Sequence, residues 1–88
     1  MKRELPEGLA KYKETPEFTG ATVPAGLLRE HNTAAGVWGR LVILEGALSF
    51  TWSDGETQKV TDVMIIPPEK KHHIKCAEPV RFKVEFWR

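Results

Sequence analysis

His31, His72 and His73 are the side chains of this chain best suited to chemistry. A neutral imidazole is the commonest metal ligand and titrates close to neutral pH, so two of them converging on one pocket would make a binding centre. His72 ends the segment Asp62-Val63-Met64-Ile65-Ile66-Pro67-Pro68-Glu69-Lys70-Lys71-His72, a buried β-run that stops at a proline pair and then delivers an imidazole. Proline cannot donate to a sheet ladder, so the pair ends the strand and forms a rigid turn. His31 precedes the run Leu41-Val42-Ile43-Leu44-Glu45-Gly46, where a strand ends at glycine and another begins. The two histidines are far apart in sequence but each stands beside a strong strand signal, which predicts that they share one pocket. Strand alternation separates the neighbours: His72 has the parity of Ile74 and Cys76, whereas His73 has that of Lys75, so His72 points inward and His73 to solvent.

The elements that must position these residues are strands. From residue 26 onward, strand signals recur at short intervals bounded by glycine, proline or polar turns, and they predict strands near 26–32, 38–45, 47–53, 56–61, 63–66, 72–77 and 80–87. Leu48, Phe50 and Trp52 alternate with Ser49 and Thr51, and Phe82, Val84 and Phe86 alternate with Arg81, Lys83 and Glu85, the period of a strand with one core face. Ser53-Asp54-Gly55 is a turn signature. Before this region Pro6, Pro16, Pro24, Gly8 and Gly20 break any long helix. Residues 1–25 therefore read as an irregular, extended arm, with at most one helical turn near Glu7 to Lys11. Trp52 and Trp87 read as packing residues or part of a subunit contact, and Lys70-Lys71 as a solvated turn.

Length and charge bound the function. With 88 residues there is room for a single domain, spanning 1–88, and none for catalytic machinery spread over two. Thirteen basic and twelve acidic residues are interspersed, for a net charge of +1, which gives no footprint for nucleic acid or anionic membrane. No apolar run is long enough for a signal peptide or a membrane span, so the expectation is a soluble, cytoplasmic protein. Cys76 is the only cysteine, which rules out an internal disulfide and predicts a small buried hydrophobe.

The segment from Thr61 to His72 resembles the second motif of the cupin superfamily, a strand leading through proline to a metal-binding histidine, and Leu44-Glu45-Gly46 resembles the glycine that closes the first motif. A closer resemblance is to a small family within the cupins, the tellurite-resistance-related TehB/YeaR-like domains. It is carried by residues 24–33, by Gly36-Val37-Trp38-Gly39-Arg40-Leu41 and by the closing Phe82-Lys83-Val84-Glu85-Phe86, and it covers Tyr12 to Phe86. The resemblance implies an all-β, cupin-like double-stranded β-helix, a jelly-roll barrel with a pocket at one end and the extended N-terminal arm laid over it. It also implies a link to tellurite or oxyanion stress. In the TehB proteins a similar domain is fused to a methyltransferase, but this chain has no glycine-rich loop at a strand-to-helix turn for a nucleotide-type cofactor.

Against the general cupin pattern, His31 and His72 match two of the four usual ligands, while Thr33 stands in place of the second histidine and Gly39 in place of the glutamate. A divalent metal, zinc, nickel or iron, would need a third protein ligand, for which Glu45, Glu85 and Glu30 are the candidates. Trp38, Arg40 and Arg29 are candidates for the pocket wall, with the competing reading that Trp38 is core mass. Three functions follow: a module binding a metal, a small oxyanion or a metabolite; a compact metal-dependent dioxygenase or isomerase of cupin type; or a homodimeric interaction domain whose aromatic closing strand pairs across a sheet edge.

Overall fold

A computed structural model describes residues 5–88, and residues 1–4, the start of the expected arm, lie outside the described residues. Eight strands and one short helix follow each other: β1 (Lys11–Glu14), β2 (Phe18–Thr19), α1 (Ala25–Leu28), β3 (Trp38–Gly46), β4 (Leu48–Trp52), β5 (Thr57–Val60), β6 (Val63–Ile66), β7 (His72–Lys75) and β8 (Val80–Trp87). They form two antiparallel sheets. The larger has the order β1-β8-β3-β6 with β2 also pairing β8, and the smaller has the order β5-β4-β7. The chain is therefore all-β, as its alternation predicts, and no ladder joins the two sheets. No helix among the described residues is long and apolar enough to cross a membrane.

Alternation sets the core. The odd positions of the larger sheet's strand β3 and the even positions of β8 turn Leu41, Ile43, Phe82 and Val84 inward, where they meet Leu48, Phe50 and Trp52 from β4 and Ile74 from β7. Phe50 and Phe82 are fully buried, one from each sheet. The opposite face of β8 carries the charges that alternate with them. Glu85 takes Arg40 at 3.1 Å, Lys83 reaches Glu14 at 3.3 Å, and Arg81 bridges Glu17 at 2.7 Å and Glu45 at 3.3 Å. Cys76 is half-buried against the core, and its burial pushes the thiol pKa upward.

Two of the sequence expectations change. The strand expected at 26–32 is instead helix α1 followed by a single bridge residue, His31. Pro24 supplies a φ of −62° suited to the start of a helix, and Ala25, Leu27 and Leu28 are good helix formers without the β-branching of a strand. No helical turn forms near Glu7 to Lys11, within the limit of at most one expected there: a turn at Glu7-Gly8 is followed, after Leu9 and Ala10, by β1. The arm is more ordered than its breakers suggest, since β1 pairs the end of β8 (Lys13 opposite Phe86) and β2 its start (Phe18 opposite Phe82). β1 is exposed along its whole length, so backbone pairing and the Thr15 hydroxyl, which accepts from Val84 N at 3.0 Å, hold it rather than a hydrophobic face. Lys70 and Lys71 are exposed, as expected of a solvated turn, and Lys70 sets its ammonium 4.2 Å from the centre of the Trp52 ring.

Candidate functional site

The two histidines meet. His31 N donates to His72 O at 2.8 Å and His72 N to His31 O at 2.9 Å, a two-residue ladder that adds His31 to the free edge of β7. Side chains of directly opposed residues lie on the same face, so pairing places both imidazoles together. Their ring centroids are 4.3 Å apart in an edge-to-face arrangement, and His72 stacks on Phe50 at 5.0 Å with an interplanar angle of 15°.

Each ring is locked by the same local device. His31 Nδ1 lies 2.8 Å from Arg29 O and His72 Nδ1 lies 2.7 Å from Lys70 O, in both cases the carbonyl two residues earlier. A carbonyl oxygen only accepts, so Nδ1 carries a proton in both rings, and in the neutral form of each Nε2 is the atom with the lone pair. Among the described residues no side-chain hydrogen bond uses either Nε2.

Both rings face a cavity of about 340 Å³ between the sheets. Its wall is mostly apolar: Leu27, Val37, Leu41, Phe50, Ile66, Ile74, Val84 and Phe86 line it, together with Tyr12, Lys13, Asn32, Thr33 and Ala34. Gly39 lines it too, and a β-carbon there would press on Ile66, 3.3 Å from its Cβ. The four positions singled out by sequence, His31, Thr33, Gly39 and His72, thus all border one cavity. Among the described residues Lys13 is the one lining residue with a formal charge, and its Nζ stands 5.9 Å from the centre of the Phe86 ring.

The other expected site residues lie elsewhere. Trp38 and Arg40 have the parity opposite to Gly39 and Leu41 and stand on the outer face of the larger sheet, opposite Trp87 and Glu85. Arg29 contributes its backbone carbonyl to His31 and does not line the cavity. Glu85, buried, accepts from Arg40 and from Trp87 Nε1 on the outer face, while Glu45 is exposed beside Arg81. Glu30 is exposed. Among the described residues no group of three or more histidine, cysteine, aspartate or glutamate side chains is set to hold a metal ion. His73 points away from the cavity, opposite Thr51. Sequence reasoning missed Phe50 as the platform under His72, although its parity with Leu48 and Trp52 already turned it inward.

Burial holds the His72 imidazole below its usual pKa of 6.5, against the opposing pull of the Lys70 carbonyl, and the neighbouring His31 and His73 push the same way. In the unfolded chain His72 titrates normally, so below pH 6.5 the unfolded state binds more protons than the folded one. This contribution to stability is complete above that pH and lost as pH falls. Denaturant unfolding from pH 7 to 5 is expected to show a decline that is smaller in His72→Phe, by no more than about 1.4 kcal/mol per pH unit, the limit for one proton. Identical slopes in the two proteins would show that His72 does not titrate differently on folding.

The comparison with known proteins bears on the whole of this architecture. Over 79 residues the chain is 37% identical to a Haemophilus influenzae KW20 Rd protein named as a probable S-adenosyl-L-methionine-dependent methyltransferase, TehB, covering 90% of this chain and 25% of the relative. It is 27% identical over 97 residues to the uncharacterised Escherichia coli K12 protein YeaR, covering 96% of this chain and 82% of that one. The chain therefore spans about a quarter of the length of TehB. Among solved structures, an E. coli K12 protein superposes with a TM-score of 0.88 at 23% identity, covering 99% of this chain and 97% of that one. The crystal structure of H. influenzae TehB superposes at 0.84 and 24% identity, covering 92% of this chain and 32% of that one. At these identities the superpositions speak for the fold alone. A model of the TehB-like domain matches residues 13–84, both cavity histidines included, and the chain belongs to the TehB-like domain family.

Proposed function

We infer that this domain is a small-molecule-binding module whose ligand occupies the cavity between the two sheets. The observation that carries this reading is a largely apolar cavity whose wall holds two imidazoles with locked Nδ1 protons and unbonded Nε2 atoms. Such pockets, apolar with a few convergent polar groups, are the usual form of small-molecule sites. This chain spans about a quarter of TehB, and the methyltransferase activity named for that protein is assigned to its other parts, with a holding or sensing role for this domain. The two sheets are read as the halves of a cupin-type jelly roll, and the cavity as its mouth. Toluene tests the reading directly: titrated into isotope-labelled protein, it should shift the amide resonances of Leu27, His31, Phe50 and Ile74. Shifts confined to the outer face, or none, would sink it.

The locked tautomers also favour a second reading, a divalent ion such as zinc, nickel or iron on the two Nε2 atoms, since metal-binding histidines usually have their other nitrogen anchored in this way. The wall supplies two of the three protein ligands that such ions generally take, so binding would be weak and completed by water or ligand. On this reading His31→Ala and His72→Ala each weaken zinc binding by about tenfold or more, whereas His73→Ala leaves it unchanged. Calorimetric titration of the three variants decides it, and loss of zinc in His73→Ala with retention in His72→Ala would refute it. A cupin-type dioxygenase would use two histidines and a carboxylate, and among the described residues no carboxylate lines this cavity. A tellurite or other oxyanion would rest on Lys13, the single cation of the wall among the described residues. We place the domain in the cytoplasm, as a homodimer, on sequence grounds.

A further inference from the structure

The cavity wall is of two kinds. Leu41, Phe50, Ile66, Ile74 and Val84 belong to the sheets and are buried. Leu27, His31, Asn32, Thr33, Ala34 and Val37 belong to one connecting segment, residues 24–37, in which no residue is buried. A segment that lines the cavity and is itself exposed stands between the cavity and solvent. Helix α1 within it is a single turn without a side-chain cap, too short to be stable by itself. Its fastenings are few. Among the described residues three backbone hydrogen bonds join it to the rest of the fold: the reciprocal His31–His72 pair at 2.8 and 2.9 Å, and Glu69 N to Thr33 O at 3.1 Å. Glu69 donates from a φ of +62°, a conformation that is unfavourable for a residue with a β-carbon. The other exposed stretch of wall, Tyr12 and Lys13, is held far better. It lies on β1, which pairs with β8 and is flanked by reciprocal Ala10–Arg88 bonds at 3.2 Å and by Thr15 N to Val84 O at 2.9 Å.

The two ends of the segment differ. At the first, Thr19 O accepts from Thr22 N at 3.1 Å and from Val23 N at 2.9 Å, a closed turn that stays with β2. At the second, Gly36 has a φ of +78° and nothing within 4 Å of an added β-carbon, the backbone of a hinge with open space beside it. We propose that residues 24–37 are a strap that opens as a unit by release of the His31–His72 bridge, and that ligand enters the cavity through this opening. The entry role rests on the small-molecule reading. Opening exposes side chains that are at most half-buried and leaves both sheets intact, so it costs far less than unfolding. The strap also carries one of the two imidazoles, and closing it assembles the pair.

Hydrogen exchange at single amides of the isotope-labelled protein tests this. The His31 and His72 amides form the bridge, whereas the amide of buried Ile43, bonded to Asp62 O at 2.7 Å, lies in the larger sheet. Relative to their unprotected rates, the two histidine amides should exchange at least about a hundredfold faster than Ile43. Toluene at ten times its Kd should slow them about tenfold. Gly36→Ala strains the closed form and is relieved by opening, so it should speed both histidine amides about tenfold. Gly55→Ala, with a φ of +97° in the turn between β4 and β5, is not relieved by opening and should speed Ile43 while leaving the histidine amides as they are. Histidine amides as slow as Ile43 would overturn the strap, since they would then open only with the whole fold. Unchanged histidine exchange in Gly36→Ala would overturn the hinge. Toluene that binds without slowing the histidine amides would overturn the entry role and leave the small-molecule reading standing. If toluene does not bind, that reading falls and the entry role with it, while fast histidine amides in the free protein still uphold the opening.

Discussion

Phe82→Ala is expected to lower the stability of this domain by about 3–5 kcal/mol, the range for deleting a fully buried aromatic ring. The ring has no exposed surface, sits on β8 at the centre of the larger sheet, and meets Phe18 edge-on at 5.8 Å between ring centroids. A single domain typically holds about 5–15 kcal/mol in total, so the loss removes a large fraction of it. For a domain of this length the melting temperature should fall by at least about 12 °C. Phe82→Leu leaves a smaller void and is expected to cost less than half as much, and Tyr12→Ala, on an exposed position of β1, little by comparison. Thermal unfolding of the three variants checks the order. A fall of only a few degrees in Phe82→Ala would mean that β8 does not anchor the core.

Gly46→Ala is the second large effect. Gly46 ends β3 with a φ of +76°, a conformation that costs a residue with a β-carbon about 1–2 kcal/mol. Space is the greater obstacle. A methyl group there would land on the carbonyl oxygen of Pro79, with the carbonyl carbon at 3.0 Å and Val80 Cα at 3.1 Å. These are backbone atoms at the start of β8, directly opposite Gly46 in the ladder, so no side-chain rotation relieves the contact. Gly55 provides the control, since its φ is +97° but nothing lies within 4 Å of an added β-carbon. Gly55→Ala should therefore cost only the conformational part, and Gly46→Ala more than about 3 kcal/mol. Equal losses in chemical denaturation would mean that β3 and β8 separate there at little cost.

Most strands were legible in the sequence, for a reason visible in particular residues. The alternation of Leu48, Phe50 and Trp52, and of Phe82, Val84 and Phe86, has the period of a strand with one dry face, and that period needs no knowledge of the partner strand. The same parity separated His72 from His73, and the proline pair marked where β6 must stop. β1 was not legible because it has no dry face, and its order comes from hydrogen bonds to β8, some seventy residues away in sequence. The helix at Ala25–Leu28 was mistaken for a strand because four residues are too few to show a helical period.

The sequence by itself determined that this is an all-β domain with His72 facing inward and two histidines available for one site. Only the tertiary structure decided what that site contains. Whether His31 meets His72 depends on a two-residue bridge at the edge of β7, a contact between distant segments that no local pattern encodes. Likewise Trp38 and Arg40 went to the outer face while Gly39, between them, went to the cavity face, because the face of β3 that turns inward is set by its pairing with β6 and β8. Parity along a strand is local and says which residues share a face. Which face is buried, and what stands across the gap from it, is settled by how the two sheets pack.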